Sequence, residues 1–303
     1  MIGSTGDLMS TDPMILTSDL AQPEGPLLLA DGTWLVTELD VKRGTVTRIG
    51  ADGSRRALAK TGRPNGLALS ADGAVWVAES LDPALIRLEL TGEFTRELSH
   101  VEGLALLWPN DVCVGPDGAI YMTDSGILVG DFLGEDGPRE DCKELPIDGR
   151  VVRFDPASRE ASFLDRGLQF TNGIAFGPDG LLYVNETYTG DIYRYRIEDG
   201  AAVGDRELFG NVLDRDYTGS GLQGPDGMAF SEDGRLWVAV LGQGDITVLE
   251  TDGSVGRRIK LPGNWPTNVA FGPPGDGRIY IVEDERGSLE ARTVGVDGFA
   301  LHR

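Results

Sequence analysis

Two cysteines, Cys113 and Cys142, are all that the 303 residues contain. Two leave no disulfide framework and no CxxC pair for a metal. Histidine is as scarce: His100 and His302 stand far apart in the chain. An imidazole-rich zinc site and a Cys–His dyad are therefore not expected. Positive charge is short as well, with 27 Lys and Arg against 49 Asp and Glu and a net charge of −22. Phosphate recognition runs on Lys and Arg, so nucleic acid is not an expected partner, and anionic membrane surfaces are disfavoured. No apolar run approaches the ~18 residues of a membrane helix. The opening stretch MIGSTGDLMSTDPMIL has neither a basic n-region nor a long apolar h-region. No signal peptide is expected, and a reducing cytoplasm is the expected compartment. Helical periodicity is missing almost everywhere.

What the chain does have is a core-forming composition, 40% hydrophobic and 25% charged, with 43 glycines. That glycine count is about twice the usual share and signals many tight turns or close backbone approaches. The glycines belong to a repeat. Six copies read EGPLLLADGTWLVTE, NGLALSADGAVWVAE, NDVCVGPDGAIYMTD, NGIAFGPDGLLYVNE, DGMAFSEDGRLWVAV and NVAFGPPGDGRIYIVE. Each opens on a polar anchor: Glu24, Asn65, Asn110, Asn172, Asp226 and Asn268. An apolar alternation, a Gly-containing turn and a second apolar run follow, the pattern of a β-hairpin. A third strand (GTVTRI, ALIRLEL, GRVVRF, GDIYRYRI, GDITVLE, GSLEARTV) and a weaker fourth run complete the unit. Four strands per unit, six times over, predict an all-β fold, a six-bladed β-propeller in one domain spanning 1–303. The sixth unit lacks a clear fourth strand, and the run MILTSDL near the N-terminus is expected to supply it and close the ring. Residues 1–12 are expected to form a flexible tail.

Anchor spacings of 41, 45, 62, 54 and 42 place the excess chain in two insertions, 127–149 and 210–224. In this topology the first strand of each blade lines the central channel, so the six anchors ring one mouth of it. The insertions emerge at the same mouth, where scaffold loops carry function. Phe132, Leu133, Leu213 and Tyr217 are the expected walls. The anchors offer oxygen and neither imidazole nor thiolate, a set suited to a hard divalent cation, Ca²⁺ first. Strand capping by Asx turns is the plainer role for any single Asn, and the pattern alone does not say which anchors would be ligands. A second ring, Glu38, Glu79, Asp124, Glu186 and Glu283, is broken by Val240 and reads mostly as solvated strand ends. Asp124 and Glu186 are its members expected at the mouth, with Trp108 as an apolar wall. Cys113 reads as a core filler and Cys142 as a bystander thiol.

The motifs EGP at 24–26, WPND at 108–111, TNGIAF at 171–176 and GPDGMAF at 224–230 resemble the gluconolactonase, senescence-marker-protein and luciferin-regenerating-enzyme family of six-bladed propellers. The likeness runs from PEGP near residue 23 to IYIVEDE near residue 285. It implies one divalent cation (Ca²⁺ first; Zn²⁺, Mn²⁺, Mg²⁺ or Fe²⁺ as alternatives) held by Glu24, Asn110, Asn172 and Asp226. It also implies hydrolysis of a cyclic ester by metal-activated water, with Asp226 as the catalytic carboxylate. Asn65, Trp108, Asp124, Glu186 and Asn268 are then the candidate substrate contacts. Animal sugar lactonases of this family carry an Arg two residues before the blade-three Asn, where this chain has Trp108, which opens the site to a more apolar lactone. An organophosphate hydrolase and a non-catalytic calcium-binding scaffold are the alternatives. The expected partner is a small-molecule substrate, and the expected state a monomer or small homo-oligomer.

Overall fold

The computed structural model describes residues 13–134 and 137–303. The tail expected over 1–12 lies outside them. Each repeat folds as one four-stranded antiparallel sheet, and six such sheets form. In blade one the strands are Pro23–Leu28, Trp34–Glu38, Thr45–Ile49 and Arg55–Lys60. The first strands of the other blades are Pro64–Leu69, Pro109–Val114, Thr171–Phe176, Gly224–Phe230 and Pro266–Phe271. They follow one another around the axis, and the sixth lies against the first. Among the described residues no helix is long and apolar enough to cross a membrane.

Ring closure is made as expected. The fourth strand of blade six is Met14–Thr17, antiparallel to Ser288–Thr293, with Met14 opposite Ala291 and Thr17 opposite Leu289. The core is divided among the joints between blades. Leu35 and Val46 of blade one pack with Val75 and Val77 of blade two. Trp34 and Val36 meet Tyr280 and Val282 across the closing joint, the Trp34 and Tyr280 rings 4.4 Å apart. A fully buried Val, Leu or Ile contributes ~1.5–3 kcal/mol. Each sheet therefore draws its stability from both neighbours.

The hairpin turns need a left-handed residue, and glycine takes that place. At Ala30–Thr33, Gly32 has φ +81°, its N–H donates to the Leu29 carbonyl, and the Thr33 N–H donates to Asp31 Oδ1 at 3.1 Å. A side chain at Gly32 would add a Cβ in a disfavoured conformation.

The insertions are shorter than the sequence suggests. Gly149 already belongs to the third strand of blade three, Gly149–Phe154. Gly210 and Asn211 belong to the fourth strand of blade four, Glu207–Asn211, which leaves 212–223 as connecting loop. The first insertion holds a helical turn, Val129–Phe132, and a short 3-10 turn, Cys142–Glu144. It carries a separate apolar cluster in which Trp108, Ile127, Phe132, Cys142 and Phe170 are buried. Two small hairpins, His100–Val101 with Leu104–Ala105 and Ile197–Glu198 with Ala201–Ala202, take up the rest of the extra chain.

Candidate active site

The first strands share an irregularity that decides where the anchors point. Pairing with the second strand is regular at the far end of each blade and shifts next to the anchor, between Glu24 and Leu27, Pro64 and Leu67, Pro109 and Val112, Thr171 and Ile174, and Pro225 and Met228. A bulge re-aims the side chain it carries. Asn65, Asn110, Asn172 and Asp226 thereby leave the ladder, whereas Glu24 still pairs with Thr37 and Asn268 with Val282; all six are only 4 to 9% exposed.

Close approach of neighbouring blades at this level requires glycine just after the anchor. A Cβ on Gly173 would collide with the Asp226 carbonyl, and one on Gly66 with the Asp111 carboxylate. Blade three has Asp111 where blades two, four and five have Gly66, Gly173 and Gly227. Asp111 accepts the Val112 N–H at 2.8 Å and the Ile174 N–H of the next blade at 3.3 Å. The sequence pattern ranks it as part of WPND and misses it as a site residue. The signal was there, in an acid standing where blades two, four and five need glycine.

Blade six corrects one anchor. Pro266 pairs with Glu283 and Val269 with Ile281, just as Pro225 pairs with Val240 and Met228 with Val238. Thr267 thus occupies the anchor position, and Asn268 stands one residue further on, level with Asp111 and Gly227. A Cβ on Gly227 would strike the Asn268 amide. The Asn268 Nδ2 donates to Glu24 Oε2 at 2.9 Å, so Asn268 supports Glu24 directly and is not a sixth equivalent anchor.

Two amides are turned by their neighbours. Asn110 Nδ2 donates to Ser125 Oγ at 2.9 Å, and Asn172 Nδ2 to Thr187 Oγ1 at 3.3 Å. Each hydroxyl then donates onward to the next blade, Ser125 to the Thr171 carbonyl and Thr187 to the Pro225 carbonyl, both at 2.9 Å. The tethers use the NH₂ groups and leave the amide oxygens for the channel. Burial raises the proton affinity of Glu24, and the charges of Asp226 and Asp111 raise it further. Burial and then Asp111 do the same to Asp226, and burial pushes Asp111 up to about 7. Three buried carboxylates close enough to repel one another are what a divalent cation would neutralise. Among the described residues no three His, Cys, Asp or Glu groups alone converge tightly enough to hold a metal. A cation there would need the amide oxygens of Asn110 and Asn172 as well as Glu24 and Asp226, and that mixed oxygen set fits a hard ion.

The second acidic ring is not solvated, and its two candidate substrate residues do not face the channel. Asp124 is fully buried and accepts the N–H groups of Leu107 at 2.8 Å, Trp108 at 2.9 Å and Gly126 at 3.0 Å. Glu186 accepts the Gln169 N–H at 2.7 Å and the Thr189 hydroxyl at 2.8 Å. Glu38, Glu79 and Glu283 hold Ala21, Arg63 and Trp265 in the same way. These carboxylates clasp the loop entering each blade, and burial is tolerated because the backbone N–H groups satisfy them. Blade five has Val240 instead, and its entering loop is tied by Tyr217 Oη to the Gly242 carbonyl at 2.6 Å and by Asp214 N–H to Gln243 Oε1 at 2.8 Å.

Trp108, expected as a wall at the mouth, is buried in the apolar cluster of the first insertion. Its ring lies 5.5 Å from Phe132 and 5.3 Å from Phe170, edge to face. Cys142 is packed into that wall. Cys113 is only partly buried and lines the channel below the anchors, where a cavity of about 500 Å³ is bounded by aliphatic side chains, Asp111, Asn268 and the chain end at Gly298–Arg303. His302 sits at that far end, 5.8 Å from the Phe176 ring. His100 is exposed beside Ser99.

The fold and the oxygen-lined mouth define a six-bladed propeller, and comparison with known proteins gives the family. The SMP-30/Gluconolactonase/LRE-like region matches residues 22–283; the chain belongs to this family. It is similar to the gluconolactonase of Zymomonas mobilis, 27% identical over 287 residues that cover 88% of this chain and 78% of the relative. A solved gluconolactonase structure from Xanthomonas campestris superposes with a TM-score of 0.75 at 27% identity, covering 95% of this chain and 89% of the other. The diisopropyl-fluorophosphatase of Loligo vulgaris is 24% identical over 293 residues, 90% of this chain and 89% of that protein.

Proposed function

We propose that the protein is a divalent-cation-dependent hydrolase of cyclic esters, a lactonase. The observation that carries this reading is the set Glu24, Asn110, Asn172 and Asp226, four oxygen donors from four blades with both amides tethered by neighbouring hydroxyls. Family membership and the likeness to two gluconolactonases support a lactone as substrate. Ca²⁺ suits these ligands first, with Mg²⁺, Mn²⁺, Zn²⁺ and Fe²⁺ as alternatives. A bound divalent cation supplies a Lewis acid for the carbonyl oxygen and lowers the pKa of water.

The chain's own residues do the rest. Neither described imidazole stands at the mouth, so the proton of the attacking water goes to a carboxylate, and Asp226 is assigned that task. Burial raises its proton affinity in the cation-free protein, and a cation bound beside it would oppose that rise. As the water oxygen bonds to the carbonyl carbon the ring C–O bond breaks, and the proton held at Asp226 passes to the departing ring oxygen. Asn65 orients the substrate beside the ring of anchors, and the wall of Trp108 and Phe170 keeps bulk water away. Cys113 and Cys142 are free thiols, compatible with the reducing cytoplasm we assign as compartment.

The likeness to a fluorophosphatase favours one second reading, hydrolysis of phosphotriesters at the same oxygen set. A panel of lactones and phosphotriesters, run on chelator-stripped and reconstituted protein, separates the two. Cation-dependent opening of lactones well above phosphotriester turnover is the expected result. Cation binding with no turnover of either class would leave a non-catalytic scaffold. Single turnover in ¹⁸O-water is expected to place label in the product and none in Asp226, where covalent attack by this carboxylate would place it.

A further inference from the structure

Phe170 stands immediately before Thr171–Phe176, two residues ahead of Asn172, with φ +70°. Among the described residues it is the one aromatic side chain on a left-handed backbone, a conformation that crowds any Cβ and is rare for a bulky residue. Gln22, two residues ahead of Glu24, is the other entry residue of this kind, with φ +53°. Arg63, Trp108 and Trp265 hold the same place in blades two, three and six and are not left-handed.

The clasping acids explain the difference. In blades two, three and six the acid accepts the N–H of that entry residue itself, Glu79 from Arg63 at 2.7 Å, Asp124 from Trp108 at 2.9 Å and Glu283 from Trp265 at 2.8 Å. In blades one and four it accepts the N–H one residue earlier, Glu38 from Ala21 at 2.9 Å and Glu186 from Gln169 at 2.7 Å. One more residue must then fit between clasp and anchor, and the left-handed turn takes it up. The entry carbonyl is thereby kept in place: Phe170 accepts the Thr187 N–H at 2.9 Å just as Trp108 accepts the Ser125 N–H at 2.8 Å. Thr187 is the residue whose Oγ1 accepts Asn172 Nδ2 at 3.3 Å and donates to the Pro225 carbonyl. The Phe170 ring is gripped from three sides, 5.3 Å from Trp108, 4.9 Å from Phe132 and 5.8 Å from Tyr188, on which it stacks.

We infer that Phe170 is a positioning residue for Asn172. The aromatic cluster under the first insertion holds its backbone left-handed, and the carbonyl so placed fixes Thr187 and, through it, the Asn172 amide. Strained backbone persists only where its surroundings over-determine it, and here they include Trp108 and Phe132 from blade three. The orientation of a blade-four amide is therefore set by a wall contributed by blade three. Asn110 needs no such support, because Trp108 reaches Ser125 without a left-handed backbone. The inference rests on the reading of Asn172 as a cation ligand.

The test compares Phe170→Gly with Phe170→Ala. Both remove the ring, but glycine takes a positive φ freely and alanine does not. Ca²⁺ affinity by calorimetric titration is expected to fall about 10- to 100-fold in Phe170→Ala and to stay close to wild type in Phe170→Gly. Exchange of the Thr187 amide proton, followed by NMR in the cation-free protein, is expected to quicken in the alanine variant alone. Equal losses in the two variants would assign Phe170 to packing and overturn the inference. Phe132→Leu shrinks the support and leaves residue 170 untouched, an independent reading should Phe170→Ala fold poorly. It is expected to weaken Ca²⁺ binding by itself and to have no further effect in Phe170→Gly; the same loss in both backgrounds overturns the inference. If wild type binds no divalent cation the functional reading fails, and Thr187 exchange then decides the positioning role alone: quickened only in Phe170→Ala it stands, equal in both variants it falls.

Discussion

At the scale of single residues, the site is built from groups that would be costly if left alone. Asn172 is useful as an oxygen donor only while Thr187 holds its NH₂. Thr187→Val keeps shape and removes the acceptor, and losing such a supporting contact typically weakens metal affinity by about 10- to 100-fold. Calorimetric titration with Ca²⁺ is expected to show that loss, with the melting temperature of the metal-free protein changing far less. Asp284 carries a pH signature. Burial and the Glu283 charge raise its carboxyl from 3.8 to about 6. A raised carboxyl contributes stability that is complete below about pH 4 and lost as pH rises through the folded value. Asp284→Asn removes that contribution, so the variant is expected to gain on wild type in urea denaturation between about pH 4 and pH 7. Parallel curves across that window would show that the group does not titrate there.

Elements meet the site through their ends. A strand end carries an acid that takes the N–H groups of the loop entering the same blade, and Asp124 is the most heavily used of these. Asp124→Ala strands the N–H groups of Leu107, Trp108 and Gly126 and leaves Arg150, whose Nη1 lies 3.5 Å from it, without that carboxylate. Unpairing such buried groups costs on the order of 3–5 kcal/mol, read as a fall in the denaturation midpoint. Activity should fall with it, since the same loop carries Trp108 and leads into Asn110. Glycine after the anchor is the other device of this kind, because adjacent strands approach too closely there for a Cβ.

For the whole molecule, closure is what makes six weak sheets one stable body. Every joint between blades holds its own apolar cluster, and the last is completed from the other end of the chain, where Met14–Thr17 pairs with Ser288–Thr293. Removing residues 1–17 leaves that edge unpaired and exposes Leu289 and Ala291, now buried. The truncated protein is expected to melt earlier and less cooperatively, and to self-associate through the open edge in light scattering. A melting curve indistinguishable from the full chain would mean that blade six is self-sufficient.

The repeat determined the blade number, the strand pairing and the closing strand, because alternation and Asp-Gly turns are local signals that each copy restates. It also predicted six anchors at one mouth, since a propeller brings every first strand to the axis, while the choice of Glu24, Asn110, Asn172 and Asp226 among them came from the family resemblance. Other features needed three dimensions. Asn268 and its predecessor Thr267 differ by one residue in register, and only the pairing of Pro266 with Glu283 tells them apart. Asp124 and Glu186 look like exposed acids in a sequence, and only folding supplies the backbone N–H groups that bury them. Phe170 precedes an anchor strand without any motif of its own. Its place beside Trp108 depends on two blades meeting, and contacts between residues from different repeats leave no periodic trace in the chain.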